Sequence, residues 1–359
     1  MFLDFYKAKA FGLDISDYSI EIISLSGSLE KPKLLALGRA ILEPGIVGNG
    51  KVLQKEKLEA VLEELIKKPK FCKIKTKKFI FALPESKTFI HFFKFPEALE
   101  KEKAKKEIEF QAIHNFPFPL KELYFDFEVK NKEVLLVAVQ KDIVDDYLEI
   151  FKNLKLQPIA LEIESLSLAR SSTENKEETI LIADIGARTT NFSIFDKNRL
   201  KLSISIDIAG NKFTQSLSEK LNVSFQEAEN LKKEIGLDPE KREGKVFLIL
   251  QKEIQEIISE IKKIEDYFQK KEQKAIEKII LAGGSAILPR LAVYLAENLE
   301  KSILIGDPWG KINIDILRKK EYFEKALEIS PILYSTVIGS ALRGLVKNPA
   351  EAGINLLPK

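Results

Sequence analysis

The chain has 359 residues, 45% of them hydrophobic and 31% charged, which is enough for two or more globular domains with apolar cores. Its 57 basic and 54 acidic residues give a formal net charge of +3, so no strong attraction to nucleic acid is expected. The single cysteine, Cys72, excludes an internal disulfide framework and is typical of a reducing compartment. No apolar run approaches the roughly 18 residues of a membrane-spanning helix, and the first residues are too interrupted for a signal peptide. We therefore expect a cytoplasmic protein.

The first predicted element is a hairpin near the start of the chain. The stretch "FGLDISDYSIEIISL" (residues 11–25) reads as strand, aspartate, turn and strand, and "KLLALGRAIL" predicts a further strand. Asp14 stands where the first strand ends, and Ser16 lies in the turn. An aspartate at a strand end also commonly starts a turn without any ligand, so this position alone does not indicate a site.

The middle of the chain predicts an amphipathic helix followed by an inserted block. The stretch "LQKEKLEAVLEELIKK" places its leucines at helical spacing, and residues from about 79 to 157 read as a compact strand–helix–strand–helix block. His91 and His114 lie in this block, and we interpret them as packing or surface residues rather than catalysts. No residue is assigned as catalytic, and Glu164 in "ALEIESLSLAR" is the remaining candidate for a general base.

A second hairpin repeats the order of the first but has a more polar turn. The stretch "LIADIGARTTNFSIFD" (residues 181–196) contains Asp184, Gly186, Thr189, Thr190 and Asn191. Hydroxyl groups and successive backbone N–H groups can donate hydrogen bonds to phosphate oxygens, and a glycine permits close approach of the ligand. This composition favours an anionic ligand and its metal ion.

If the two hairpins arose by duplication, they predict two α/β lobes that face each other. Asp14 and Asp184 would then lie on opposite walls of a cleft. Because Mg²⁺ usually keeps several of its water ligands, opposed carboxylates can hold it through water.

The region after the second hairpin predicts a strand and two helices. In "RLKLSISIDIAG" apolar and polar residues alternate, which predicts a strand with one buried face, and a helical region follows Gly210. Ser224 and Glu227 form a capping box at the start of the next helix. Glu229 and Lys232 lie three positions apart on that helix, either as a surface ion pair or as a pair that grips a ribose.

A long helix and a glycine turn complete the pattern. Between residues 245 and 274 the isoleucines form one stripe, which fits either a coiled coil or a single helix lying on a small domain. Gly283, Gly284 and Ser285 then connect an apolar strand to a helix. Such a turn is either a simple reversal or a place where the backbone approaches a planar or phosphate group.

The order of these elements resembles that of the actin-like ATPase superfamily, an α/β, ribonuclease H-like fold with two lobes. The resemblance implies ATP and Mg²⁺ as ligands, with Asp14 and Asp184 at the metal. It assigns Asp14 and Ser16 to phosphate loop one; Asp184, Gly186, Thr189, Thr190 and Asn191 to phosphate loop two; Gly210 to the nucleotide; Glu229 and Lys232 to the ribose and adenine; and Gly283, Gly284 and Ser285 to the adenosine.

Longer stretches narrow the resemblance to one branch. "EIEFQAIHNFPFPLKELYFDFEV", "LLVAVQKDIVDDYLEIFKNLKLQPIALEIESLSLAR", "IDIAGNKFTQSL" and "VIGSALRGL" are similar to the type IV pilus assembly protein PilM family, which is related to FtsA. The resemblance implies a cytoplasmic nucleotide-binding scaffold of the pilus inner-membrane complex, held at the membrane by partners and not inserted in it. Its implied partner is the N-terminal peptide of PilN, in a groove between the first lobe (subdomain 1A) and the inserted subdomain (subdomain 1C).

The same resemblance implies four subdomains. They are a first lobe of residues 1–78 with 158–178 and 330–359, an inserted FtsA-type subdomain 1C of residues 79–157, a second lobe of residues 179–215 with 276–329, and a helical subdomain 2B of residues 216–275.

Two departures concern phosphate loop one. Ser16 stands where the family commonly has glycine, and Glu21 stands where we align a lysine that meets the phosphates. A carboxylate near a triphosphate repels it unless a metal ion or a base intervenes, so Glu21 disfavours efficient hydrolysis. The alternatives are an active ATPase or small-molecule kinase of the same superfamily, and an FtsA-like filament protein. The latter requires an amphipathic C-terminal helix, which the prolines and glycine of "NPAEAGINLLPK" oppose.

The final residues raise a separate question. The sequence "INLLPK", from Ile354 to Lys359, resembles the short motif with which PilN enters the groove of this family. Either this tail packs on its own lobe, or it imitates the partner in the same molecule or, through self-association, in a neighbouring one.

Overall fold

The computed structural model describes residues 8–95, 97, 100–173, 177–319 and 329–359. The chain divides into two compact units, Met1–Ser171 with Pro308–Lys359 and Ser172–Asp307. Each unit has a β-sheet and a hydrophobic core of its own.

The strands and helices follow the predicted order closely. The strands are β1 (Phe11–Ile15), β2 (Ser19–Ser28), β3 (Lys31–Ile41), β4 (Val47–Gly48), β5 (Lys51–Val52), β6 (Lys70–Phe71), β7 (Lys78–Leu83), β8 (Thr88–Lys94), β9 (Leu123–Lys130), β10 (Glu133–Gln140), β11 (Gln157–Ile163), β12 (Thr179–Ile185), β13 (Thr190–Asp196), β14 (Arg199–Ile206), β15 (Lys278–Ala282) and β16 (Ser302–Ile305). The α-helices are α1 (Lys55–Lys67), α2 (Lys101–Asn115), α3 (Lys141–Asn153), α4 (Glu164–Ser172), α5 (Gly210–Leu221), α6 (Phe225–Ile235), α7 (Lys245–Glu272), α8 (Leu291–Leu299) and α9 (Ser335–Arg343).

A six-stranded sheet with the order β11-β7-β1-β2-β3-β6 forms the centre of the first unit. Neighbours among β1, β2 and β3 are antiparallel, whereas β7 runs parallel to β1 and β11 runs parallel to β7. β1 is fully apolar except near its end, where Asp14 lies, because both faces of a central strand are covered. Asp14 is therefore at the end of a buried strand, as predicted.

Helices cover both faces of this sheet. On one face, the rings of Phe79 and Phe151 on β7 and α3 lie 4.8 Å apart in a T-shaped contact. On the other face, α9 lies so close to β1 that a Cβ atom on Gly12 would come within 2.3 Å of the carbonyl oxygen of Val337. Side chains alternate along a strand, so Asp14 lies on the same face as Gly12 and α9.

A separate three-stranded sheet, β8-β10-β9, carries α2 and its own apolar core. α2 ends at Asn115, because Phe116 precedes a proline and adopts an extended backbone. The predicted inserted block began at residue 79, but β7 belongs to the six-stranded sheet, and α3 packs on that sheet. The inserted sheet itself begins at Thr88 and ends at Gln140.

The second unit is built on a five-stranded sheet with the order β14-β13-β12-β15-β16. The predicted capping box of α6 is confirmed in part, because the Ser224 hydroxyl accepts a hydrogen bond from the N–H of Glu227. The isoleucine stripe of α7 is buried within this chain, and α7 packs against α5, α6 and α8. The single-helix interpretation of this stripe is therefore confirmed.

Two details differ from the sequence-based expectations. β14 is an edge strand, and of its alternating apolar residues only Leu200 is buried, because one side of the strand has no neighbour. Residues 308–319 were assigned to the second lobe, but they belong to the first unit, where Asn313 forms a parallel bridge with Lys33. The four-way subdivision and the FtsA-type nature of the inserted sheet stay predictions.

Candidate functional site

Two β-hairpins occupy equivalent positions in the two sheets. The first sheet, taken from β3, has the order β3-β2-β1-β7-β11, and the second, taken from β14, has the order β14-β13-β12-β15-β16. The two orders match strand for strand, and corresponding pairs are parallel or antiparallel in both sheets. Asp14 pairs with Glu21 across the first hairpin, and Asp184 pairs with Asn191 across the second. The correspondence that the sequence indicated between the two hairpins is therefore confirmed at the level of topology.

The first hairpin turn is closed by its own serine. The Ser16 hydroxyl accepts hydrogen bonds from the N–H groups of Tyr18 (3.2 Å) and Ser19 (3.0 Å), and the Ser16 N–H donates to the Ser19 carbonyl (2.9 Å). A serine in such a turn replaces a backbone partner. Ser16 therefore fixes the shape of loop one, which we define as residues 16–18.

Glu21 is buried and paired with a base on the neighbouring strand. Its carboxylate accepts a hydrogen bond from Nε of Arg39 (2.7 Å), and Arg39 also donates to the hydroxyl of Ser19 (3.3 Å). Burial raises the pKa of Glu21, although Arg39 and Ser19 act in the opposite direction. The acid that departs from the family pattern therefore has a cation beside it, which the sequence did not indicate.

The second hairpin turn, loop two (residues 186–189), is tied down by two other segments. The Gly186 carbonyl accepts hydrogen bonds from the Gly210 N–H (3.1 Å) and from the Ser285 hydroxyl (3.1 Å). The Ala187 carbonyl accepts from the Asn211 N–H (2.7 Å). The first residues of α5 and the glycine turn after β15 therefore meet at loop two, so the structure brings together three of the predicted segments.

This arrangement also orients the donors of loop two. Among the described residues all peptide bonds are trans, and a trans peptide holds its C=O and N–H on opposite sides. Because the carbonyl groups of Gly186 and Ala187 point at α5, the N–H groups of Ala187 and Arg188 point away from it. All four residues of loop two are half-buried.

Glycine is required where the backbone passes the aspartate of the second hairpin. Gly283 has φ +79°, and a Cβ atom there would lie 2.4 Å from Oδ1 of Asp184 and 2.5 Å from the Ile185 carbonyl oxygen. A Cβ on Gly210 would lie 2.6 Å from the Ser285 hydroxyl. Gly284 begins the short 3₁₀ turn Gly284–Ile287 that follows. Gly283 therefore permits the close approach of backbone and carboxylate, and Gly210 permits the close approach of backbone and the Ser285 hydroxyl.

The polar residues at the end of the second hairpin differ in exposure. Thr189 is half-buried in loop two. Thr190 is fully buried and donates its hydroxyl to the Ile208 carbonyl (2.6 Å), and buried Asn191 accepts from the hydroxyl of Ser205 (2.6 Å). Thr190 and Asn191 therefore join β13 to the segment that follows it, whereas Thr189 lies in the half-buried loop.

The Glu229–Lys232 pair is not a surface ion pair. The Lys232 side chain is 8% exposed, and its ammonium contacts Oε2 of Glu229 (2.6 Å), the Gly210 carbonyl (2.9 Å) and the Thr214 hydroxyl (2.8 Å). An ammonium has three hydrogens, so all of them have acceptors in the protein. Lys233, by contrast, is 67% exposed and reaches Oε1 of the same glutamate. Lys232 thus fastens α6 to the start of α5 and so to loop two.

Burial affects the pKa values of Lys232 and Glu229 in different ways. Burial lowers the pKa of Lys232, and Glu229 only partly offsets that effect. Burial alone raises the pKa of Glu229, but hydrogen bonds from Lys232 and Thr214 outweigh it and hold the pKa below its ordinary value. Glu229 therefore stays ionised beside its lysine.

The other residues weighed as catalysts have local contacts. Glu164 accepts a hydrogen bond from the Glu85 N–H (3.0 Å), and Glu85 in turn accepts from the Ser165 N–H (3.0 Å). His91 stacks on Phe93, and the His114 ring contacts Phe110. His91 is half-buried and His114 is exposed, and the interpretation of both as packing or surface residues stays a prediction.

A second candidate site lies at the C-terminal tail, residues 354–359. Ile354 and Leu356 are 0% and 1% exposed. The Leu356 N–H donates to the carbonyl of Leu161 on β11 (2.8 Å), and the Asn355 N–H donates to Oδ2 of Asp126 on β9 (2.9 Å). The tail therefore lies between the edge strand of the six-stranded sheet and the edge strand of the inserted sheet.

A buried charge cluster lies behind the tail. Arg343 is 1% exposed and donates from Nη1 to Oε2 of Glu162 (2.8 Å) and to the Ile354 carbonyl (2.7 Å). Arg170 donates two further hydrogen bonds to the same carboxylate. Burial alone raises the pKa of Glu162, but the two guanidinium groups outweigh it and lower the pKa to about 2.

Sequence reasoning missed Arg39, Asp126 and Arg343. Arg39 is found only from the register of β2 and β3, and Asp126 only from its contact with the tail. Arg343 carries a signal, because it is the one charged residue of its helix and stands at the helix end. Within the described part of the chain, no three or more His, Cys, Asp or Glu residues converge on a metal position. No described helix has the length and apolar character needed to cross a membrane.

The twin sheets and hairpins define an actin-like protein. Structural comparison supports this class: the ethanolamine utilization protein EutJ from Carboxydothermus hydrogenoformans matches with a TM-score of 0.56 at 15% identity, over 93% of this chain and 89% of that one. MreB5 from Spiroplasma citri, in complex with AMPPNP, matches with a TM-score of 0.54 at 14% identity, over 92% and 93% of the two chains. The predicted actin-like fold class is therefore confirmed.

The family follows from a second comparison. A family model described as type IV pilus assembly protein PilM matches residues 12–345, and the chain therefore belongs to that family. A structure of the PilM–PilN type IV pilus biogenesis complex resembles the chain with a TM-score of 0.79 at 22% identity, over 95% of this chain and 99% of that one.

Proposed function

We propose that the chain is a nucleotide-binding scaffold of the type IV pilus inner-membrane assembly complex, with ATP and Mg²⁺ as ligands and the N-terminal peptide of PilN as partner. The nucleotide part rests chiefly on loop two, whose carbonyl groups accept hydrogen bonds from Gly210, Asn211 and Ser285, so that the N–H groups of Ala187 and Arg188 point away from α5. The partner part rests on family membership and on the seat of the tail between two edge strands.

The described residues fit a metal–nucleotide ligand better than a metal ion alone. No cluster of three acidic, histidine or cysteine ligands is found among them. Mg²⁺ would therefore take most of its ligands from phosphate oxygens and water, with Asp184 and, by family resemblance, Asp14 in contact through water. When bound, the ion neutralises phosphate charge beside these carboxylates.

The residues have distinct proposed roles. Loop two binds phosphate through the N–H groups of Ala187 and Arg188 and the hydroxyl of Thr189, while Thr190 and Asn191 support it from β13. Gly283, Gly284 and Ser285 lie beside the adenosine, and Lys232 positions Gly210 while Glu229 faces the ribose. Ser16 shapes loop one. Nucleotide acts as a structural ligand, so its effect depends on different affinities for two states of the protein.

Thermal unfolding with nucleotide tests the proposal. Mg·ATP should raise the melting temperature of the native chain as its concentration exceeds the Kd. Asp184→Asn should bind Mg·ATP at least tenfold more weakly, whereas Asp266→Asn, at an exposed position on α7 in the same unit, should bind as the native chain does. If Mg·ATP leaves the native melting temperature unchanged at millimolar concentration, the nucleotide proposal is wrong.

Turnover separates the scaffold from the alternative, an active ATPase or small-molecule kinase. A scaffold should release phosphate from Mg·ATP slowly and without dependence on an added small-molecule substrate. Rapid, substrate-dependent phosphoryl transfer, abolished by Asp184→Asn and retained by Asp266→Asn, would overturn the scaffold proposal.

A further inference from the structure

The tail has the form of a bound peptide rather than of a structural element. Residues 354–359 form neither helix nor strand. They follow Gly353, which has φ +97° and no atom within 4 Å of the place where a Cβ would lie. An unhindered glycine of this kind is a natural pivot, because it can change its backbone angles without a steric clash. Gly353 is therefore the natural hinge for residues 354–359.

The residues that surround the tail bind it mainly through hydrogen bonds to its backbone. The Leu161 carbonyl accepts from the Leu356 N–H, and the Ile354 carbonyl accepts from Arg343 (2.7 Å). The Leu161 N–H donates a hydrogen bond to the side-chain carbonyl of Asn355 (3.0 Å). This side-chain oxygen takes the place of the backbone carbonyl that a neighbouring strand would offer. Backbone hydrogen bonds along a sheet edge are the usual basis of extended-peptide recognition.

Two further features supply selectivity. Ile354 and Leu356, two positions apart, are both buried, as in a peptide that places alternate side chains into pockets. Asp126 accepts a hydrogen bond from the Asn355 N–H and also contacts the ammonium of Lys359 (3.1 Å), whose side chain is 78% exposed. The seat therefore suits an extended peptide of the form aliphatic–Asn–aliphatic with a basic residue three positions later.

We infer that residues 354–359 are an intramolecular ligand that occupies the peptide groove of the first unit, and that an extended partner peptide of the same chemistry binds only when it displaces them. This inference rests on the proposed function, since it takes the PilN peptide as the physiological competitor. The tail thereby raises the concentration of partner peptide that is needed for binding. A ligand tethered by a short linker acts at an effective concentration in the millimolar range.

The test measures binding of a labelled peptide of residues 352–359 by fluorescence anisotropy. A chain that ends at Gly353 should bind this peptide at one site, and the full chain should bind it at least tenfold more weakly. Because truncation exposes apolar surface, the full-length variant Leu356→Ser provides a second measurement, and it should bind the peptide more tightly than the native chain. Leu248→Ser, at an exposed position on α7, serves as the matched control and should behave as the native chain.

The outcomes separate this inference from the proposed function. Equal peptide affinity in the native, truncated and Leu356→Ser chains would overturn the inference and make the tail a fixed part of the unit. A native dimer that dissociates on truncation would also overturn it, because the tail would then occupy a neighbouring copy. A labelled PilN N-terminal peptide, displaced by the tail peptide from the truncated chain, supports both proposals. If the tail peptide binds but the PilN peptide does not, only the partner proposal fails.

Discussion

Glu21 and Asn191 hold the same position in the two equivalent sheets, each directly opposite the aspartate that ends the first strand of its hairpin. In the second unit the position is neutral, and Asn191 accepts a hydrogen bond from Ser205 on the next strand. In the first unit it is acidic, and Arg39 on the next strand supplies the opposite charge. The two hairpins therefore share a topology but differ in their electrostatics.

Removing the charge of Glu21 should strengthen nucleotide binding. Glu21→Gln removes an acid one strand spacing from Asp14 and releases Arg39 from its ion pair. We expect the Kd for Mg·ATP to fall by roughly fivefold, which corresponds to about 1 kcal/mol of removed repulsion at this range. Isothermal titration calorimetry provides the measurement, with Glu56→Gln at an exposed position on α1 as the control. An unchanged or weaker affinity in Glu21→Gln would show that Glu21 does not face the phosphates.

Glu162 should contribute to the acid sensitivity of the fold. Its pKa is lowered from 4.5 to about 2 in the folded chain, so the folded state binds its proton less tightly than the unfolded state. The stabilisation is present above pH 4.5 and is lost as the pH falls toward 2, and a shift of this size corresponds to about 3 kcal/mol.

Denaturant unfolding between pH 7 and pH 2 measures this effect. Glu162→Gln should lower the free energy of unfolding at pH 7 by about 3–5 kcal/mol, because it leaves Arg343 buried without its counter-ion. Its stability should also depend less on pH between 4.5 and 2 than that of the native chain. Glu56→Gln should show the native pH dependence, and the same curve in Glu162→Gln would contradict the assigned pKa.

Lys232 and Lys233 offer a matched comparison, because both contact Glu229 and only one is buried. Lys232→Met removes three hydrogen bonds and leaves Glu229 without its buried partner, so we expect the free energy of unfolding to fall by about 2–4 kcal/mol. Lys233→Met should change it by less than about 1 kcal/mol, since exposed ion pairs contribute little. Urea unfolding at pH 7 measures both. Equal effects would show that the charge of Glu229, not the bridge from α6 to α5, governs stability here.

A comparison of Gly283 with Gly45 distinguishes the cost of a steric clash from the cost of an unfavourable backbone conformation. Both have positive φ, but a Cβ at Gly283 would clash with Asp184 and Ile185, whereas the nearest atom at Gly45 is 3.6 Å away. We expect Gly283→Ala to lower the free energy of unfolding by about 2–4 kcal/mol and Gly45→Ala by about 1 kcal/mol. Chemical denaturation compares the two variants. A Gly283→Ala chain as stable as Gly45→Ala would contradict the close approach at Asp184.

Local patterns were enough to locate most of the elements. The apolar alternation and strand-end aspartates of the two hairpins, the stripe of α7 and the cap at Ser224 all depend on residues within a few positions of one another. Such patterns predict a strand or a helix because side-chain direction repeats every two or 3.6 residues. The family resemblance then supplied the fold class, which the twin sheets confirm.

The sequence by itself determined the two hairpins, the order of the elements and the glycine turn at Gly283. The tertiary structure alone decided that β7 lies in the larger sheet, that Lys232 is buried, and that Asp126 meets Asn355 from 229 positions away. The physical reason is that strand order and helix packing choose the neighbours of a side chain. Those choices depend on contacts between distant segments, which no local period encodes.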